Sequence, residues 1–206
     1  MPDAQLDLVS DAVAKASSTV SSGEGPVRLG SILEDQNLIH LELPALSRSS
    51  VYDYLEHEGY PLPDLGEDEP LEGFLYVVSS IGIIFVNSDE GNPISRRRFT
   101  AAHELGHFLL HRDRMSGGRW IGDSKETIRE AGDAETVAME REANRFAAEL
   151  LMPREACLSL ITGLRSEHRN APDSVLIHRL AADLLVSREA MRNRLETLRV
   201  INGRDD

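Results

Sequence analysis

Apolar positions recur with a helical period in several segments of this chain and switch once to strand-like runs. Residues 74–78 and 81–86 are rich in Phe, Tyr, Val and Ile and are separated by Ser79-Ser80, which predicts a β-hairpin. Upstream, Leu6, Val9, Val13 and Val20 keep roughly helical spacing until the chain enters a Ser- and Gly-rich stretch ending at Pro26, a linker composition. Ser47 or Ser49 can cap a helix carrying Val51, Tyr52 and Leu55 that ends near Gly59. Pro61, Pro63, Gly66 and the acidic cluster at 67–70 then predict a solvated surface loop.

Beyond the hairpin, residues 87–93 are turn-rich. Ser95 can cap a helix running through Phe99, His103 and His107 to about Arg112, before Gly117-Gly118. A long polar loop with Trp120 follows. Asp133 can cap the next helix, which carries Val137, Met139, Phe146, Leu150 and Leu151 and must end before Pro153. Near the C-terminus, Leu176, Ile177, Leu180 and Leu184, then Ala190, Met191, Leu195 and Leu198, predict two short amphipathic helices with a tight connection capped by Ser187. That pair resembles a helix-turn-helix, with Arg188, Arg192, Asn193 and Arg194 on the exposed face of its second helix.

These elements predict an α+β fold, mainly helical with a small antiparallel sheet. A chain of 206 residues has room for one ordinary domain and an appendage. The expected division is a partly flexible N-terminal appendage over 1–26, a main domain over 27–153 and a helical, helix-turn-helix-like subdomain over 154–206. Apolar residues at 41% and charged residues at 28% exclude a disordered chain. The single cysteine, Cys157, excludes an internal disulfide and a thiolate metal cluster, and is expected to be a small buried apolar group. The N-terminus is acidic and no stretch of 18 apolar residues occurs, so no membrane association and a cytoplasmic, reducing setting are expected.

Charge narrows the choice of partner. Residues 1–72 hold 15 acidic and 3 basic side chains, whereas residues 154–206 hold 9 Arg against 8 acidic groups, within a total of -13. The acidic part repels nucleic acid. DNA binding would have to come from 154–206, where Glu189 and Glu196 dilute the basic face, so a helical cap or docking subdomain is the favoured reading.

The chemistry lies in His103-Glu104-Leu105-Gly106-His107. Positions i and i+4 of a helix share one face with Cβ atoms about 6 Å apart, so both imidazoles can reach one ion. Glu104 is turned about 100° around the helix, placed beside a metal-bound water as a general base rather than a ligand. Gly106 costs up to about 1 kcal/mol of helix propensity, which points to another element approaching closely. A catalytic zinc also needs a third protein ligand. Asp113 has a metzincin-like spacing, but position 110 is Leu rather than the Gly such sites need to turn the chain. Glu140 is favoured: Ala143 and Ala147 on its face let its helix approach, and Asn144 one turn on can accept an N–H from a ligand imidazole. Tyr76, Arg98 and His111 are the nearest polar groups in sequence. Hairpin packing is the favoured role for Tyr76 and an ion pair for Arg98, and His111, a turn beyond His107, stays outside the ligand set.

The run from Arg97 to His111 and the run from Glu140 to Pro153, with Ala143, Asn144 and Phe146 within it, resemble the two signature blocks of the ImmA/IrrE metallopeptidase family. With the hairpin that begins at Gly73-Phe74, the likeness covers about residues 50–153. It implies a zincin-like fold and Zn2+ held by His103, His107 and, as a gluzincin-like third ligand, Glu140. Glu142 and Glu149 then fall to the surface or behind the ligands. The resemblance further implies cleavage of a DNA-binding transcriptional repressor, commonly of the phage-repressor type, in a stress response. The mechanism expected is attack by zinc-bound water with Glu104 as proton acceptor. A different class of function keeps the same surface without catalysis, as a regulator-binding protein or one half of a toxin–antitoxin pair.

Overall fold

The computed structural model describes residues 3–18, 25–115, 120–123 and 134–202. In chain order the elements are α1 (Asp3–Ser17), α2 (Leu29–Asp35), β1 (Leu38–Leu43), α3 (Arg48–His57), β2 (Gly73–Val78), β3 (Ile81–Asn87) and α4 (Ile94–His111). A short 3-10 turn (Arg112–Met115) and β4 (Trp120–Asp123) follow, then α5 (Ala134–Leu151), α6 (Arg154–Glu167), α7 (Asp173–Asp183) and α8 (Arg188–Thr197).

The predicted hairpin forms as β2 and β3, with Phe74 opposite Phe85 and Tyr76 opposite Ile83. The sheet around it is not purely antiparallel. Its order is β1-β3-β2-β4, and β1 lies parallel to β3, Leu41 beside Phe85. Parallel neighbours require a crossover, and here the chain leaves β1, passes through α3 and β2, and returns as β3. Local alternation cannot announce such a pairing. The stretch expected as a polar loop around Trp120 contributes the fourth strand, Trp120–Asp123, antiparallel to β2.

Side chains alternate across the sheet. Phe74, Tyr76, Ile83 and Phe85 point to a smaller core with Val51 and Leu55 of α3, while Leu75, Ile84 and Val86 join the main core with the other helices. Burial on both faces explains why β2 and β3 read as nearly unbroken apolar runs. The loop between α3 and β2 is more than a solvated excursion: Leu65 and Leu71 close the smaller core. Tyr52 ties it down, its hydroxyl donating to the Pro63 carbonyl and accepting from the Leu65 N–H.

Of the expected caps, Ser47 and Ser187 hold as N-caps of α3 and α8. Ser95 does not cap. The helix starts at Ile94, and the Pro93 carbonyl accepts from the Arg96 and Arg97 N–H groups instead. Asp133 lies outside the described residues.

The C-terminal helices do not stand apart from the main core. Ile177, Leu180 and Ala181 of α7 and Met191 and Leu195 of α8 are buried with Phe146, Leu150 and Leu151 of α5. Cys157 is buried in the same cluster. Val9 and Ala16 of α1 belong to it as well. Among the described residues no helix is long and apolar enough to cross a membrane.

Candidate metal centre

The site is built where α4 crosses α5. A Cβ on Gly106 would stand 3.1 Å from Phe146 Cδ1 and 3.2 Å from the Ala143 Cα, so α5 packs its Phe146 ring and its backbone at Ala143 directly onto the α4 backbone at Gly106. This is the close approach for which a helix gives up about 1 kcal/mol of propensity. The crossing brings Glu140 of α5 over the histidine face of α4. His103 Nε2 and His107 Nε2 are 2.9 Å apart, and the Glu140 carboxylate oxygens lie 3.3 Å from the first and 3.2 Å from the second.

All three donor atoms fall within 4.8 Å of one another, close enough to bind one metal ion. Both rings are buried, His103 at 4% and His107 at 0% exposure, which removes competing water. Glu140 Oε2 is itself buried, and its 3.3 Å contact with His103 Nε2 is not a well-aligned hydrogen bond, a cost that a cation between the three donors would remove. Two imidazole nitrogens and one carboxylate oxygen are a donor set suited to zinc and its neighbours among the transition metals.

Electrostatics agree with that fit. Burial, reinforced by His103 and His111 nearby, pushes His107 down to about 4 against a partial opposing pull from Glu140. Its ring is therefore neutral near pH 7 and able to donate a lone pair. Burial alone would raise Glu140, but its contacts with His103 and His107 outweigh this and hold the carboxyl well below the usual range.

Glu104, on the same turn as His103, is fully buried. Strand β2 passes against it: a Cβ at Gly73 would lie 2.9 Å from Glu104 Oε1 and 2.4 Å from Thr100 Cγ2. Only glycine lets the strand run so close to that carboxylate, a constraint the linear spacing of the motif did not reveal.

A family model described as the IrrE N-terminal-like domain, of the M78 peptidases, matches residues 64–196. The chain belongs to that family. A comparison with curated proteins found no match. Membership in a peptidase family is consistent with a metal at this crossing, where three donors lie close enough to bind one, and the matched region runs past α5 through most of α8.

Within the M78 chain the other candidates sort themselves by place. Asp113 is fully exposed beside Arg112, away from the three converging donors. Tyr76 is a packing residue whose hydroxyl donates to the Pro61 carbonyl at 2.6 Å, and Arg98, expected in an ion pair, donates to the Val27 carbonyl at 2.8 Å and pairs with no carboxylate among the described residues. Glu149 pairs with Arg145 at 2.9 Å. Asn144, expected to face a ligand ring, is exposed. The ring nitrogen of His107 that points away from Glu140 meets His111 instead, Nδ1 to Nδ1 at 3.1 Å. His111 is buried and its Nε2 lies 2.9 Å from Glu142 Oε2. The available signal for that contact was spacing alone, since His111 continues the i, i+4 row of His103 and His107.

Proposed function

We propose that this protein is a cytoplasmic zinc-dependent endopeptidase that cleaves a DNA-binding transcriptional repressor. His103, His107 and Glu140 hold the metal, and Glu104 is the general base. The observation that carries the reading is the convergence of three buried or half-buried donors from two helices, with a fully buried carboxylate one residue from the first of them. Zinc, when bound, supplies Lewis acidity toward a water molecule and the scissile carbonyl.

The rest falls to the chain. His107 is held neutral, both imidazoles are buried with their Nε2 atoms facing one point, and Glu140 adds the negative charge that favours a divalent cation there. Glu104 takes a proton as the water oxygen attacks the carbonyl carbon, then delivers it to the amine nitrogen as the C–N bond breaks. The second water proton passes from the new carboxyl group to the amine, so the products are a carboxylate and an ammonium, and the base returns to its starting state. Burial of Glu104 excludes bulk water from that transfer. The repressor substrate is supported by the family likeness.

The test is co-expression of candidate repressors with the unaltered chain and with Glu104→Gln, alongside metal content. Retained zinc with cleavage lost is the expected result. Release of a bound regulator that proceeds equally in both, with no new fragments, would instead mark a non-catalytic regulator-binding protein or toxin–antitoxin component.

A further inference from the structure

The contact row does not end at the metal donors. From Glu140 it continues through His107 to His111 and on to Glu142, all within the same α4–α5 crossing. Glu140 and Glu142 thus sit at opposite ends of a two-imidazole chain, one carboxylate on the metal side and one behind it.

The proton arrangement of that chain follows from its far end. A carboxylate only accepts, so Glu142 draws the proton of His111 onto Nε2. A neutral His111 then carries its lone pair on Nδ1, which faces His107 Nδ1 at 3.1 Å. That nitrogen must donate, so His107 is protonated on Nδ1 and its Nε2 lone pair is left facing His103 and Glu140. This is the tautomer a metal ligand needs. The opposite arrangement, with a proton on His107 Nε2, would satisfy Glu140 directly and block metal binding.

We infer that His111 and Glu142 are positioning residues that select the metal-binding tautomer and ring orientation of His107 from two groups away. Metal-ligating histidines usually hand their other N–H to a carboxylate or carbonyl directly. Here a second imidazole, buried at 1% exposure, stands between. The arrangement rests on the metal-centre reading above, and it extends the functional part of α4 to its last residue.

The test measures zinc affinity of the full chain by competition with a chelator, for the unaltered protein, His111→Phe, Glu142→Gln and the double variant. Circular dichroism checks that each is folded. Losing an outer partner of a ligand typically costs 10–100-fold in metal affinity, so His111→Phe is expected to bind zinc 10–100-fold more weakly. Glu142→Gln should weaken it less, because an amide can still accept from His111 through its oxygen. The double variant should match His111→Phe, since Glu142 acts through that ring. Nitrogen-15 spectra of the zinc-loaded protein should show the Nδ1 proton of His107 protected from exchange, and exposed to it in His111→Phe.

Should the buried substitution unfold the chain, Glu142→Gln, whose side chain is partly exposed, carries the same question. An unaltered chain that binds zinc while both single variants bind it as tightly overturns this inference alone. Losses that multiply in the double variant also overturn it. An unaltered chain with no zinc affinity overturns the metal-centre reading and this inference with it.

Discussion

Two helix pairs in this molecule offered polar residues as candidates for function, and the structure treats them in opposite ways. At the α4–α5 crossing, His103, Glu104, His107 and His111 are buried and the carboxylates of Glu140 and Glu142 reach in to meet the rings. In the α7–α8 pair the apolar faces are spent on the main core. Arg188 and Asn193 are exposed, and Arg194 turns inward to donate to the Met152 carbonyl at 2.9 Å. Burying a charged or polar group costs several kcal/mol unless partners compensate. The first pair therefore holds a costly cluster that a cation would complete, while the second shows one arginine satisfying a helix end and an ordinary solvated face. Arg194 is lost to the basic face on which the helix-turn-helix likeness depended.

The comparison breaks most sharply at the ligands. Glu140→Ala should lose more metal affinity than the roughly 100-fold upper range of an outer-partner change, while Asp113→Ala leaves it unchanged. Chelator competition decides, and the reverse ranking would move the third ligand to Asp113.

Acid should act on the first pair next. In the metal-free protein His107 is held at about 4 rather than 6.5. Between those values the unfolded chain binds a proton that the folded chain does not, so stability is complete above about 6.5 and falls as the pH drops toward 4. The contribution at stake is roughly 3 kcal/mol, and Glu140, whose carboxyl is also held low, works in the same direction once the pH falls below its ordinary value. Urea midpoints of the apo-protein across this window measure it; a flat profile would mean that the rings are solvated.

Packing at the crossing is a smaller effect. Gly106→Val forces a Cβ and two methyl groups against Phe146 and the Ala143 backbone, and overpacking of this kind costs about 1–3 kcal/mol. Thermal unfolding should show the loss together with weakened zinc binding, because separating α4 from α5 moves Glu140.

The second pair supplies the smallest effects. Arg194→Met leaves a buried carbonyl unsatisfied, for about 1–2 kcal/mol, whereas Arg188→Ala should stay within about 0.5 kcal/mol. If the pair binds DNA after all, Arg188→Ala and Arg192→Ala would flatten a steep salt dependence of binding by the full chain; equal, weak binding in all three is expected.

The amino-acid sequence by itself determined what depends on neighbours in the chain. The i, i+4 spacing put His103 and His107 on one helical face, Ser47 and Ser187 marked their helix starts, and the two β-rich runs on either side of Ser79-Ser80 made a hairpin. Each follows from backbone dihedral periods and hydrogen bonds spanning a few residues. The small residues Gly106 and Ala143 even hinted at a helix crossing. Tertiary structure decided what depends on which faces meet. It brought Glu140 rather than Asp113 to the histidines, placed β1 parallel to β3, pressed Gly73 against Glu104 and folded Leu65 and Leu71 under a loop that reads as solvated. It also replaced Asn144 with His111 behind the ligand ring. Asn144 and Glu142 are both within one turn of Glu140, and one-dimensional spacing gives each a claim on the site. The crossing of α4 over α5 points one of them to His111 and the other to water, and that choice is made by packing at Gly106, not by either residue's own neighbours.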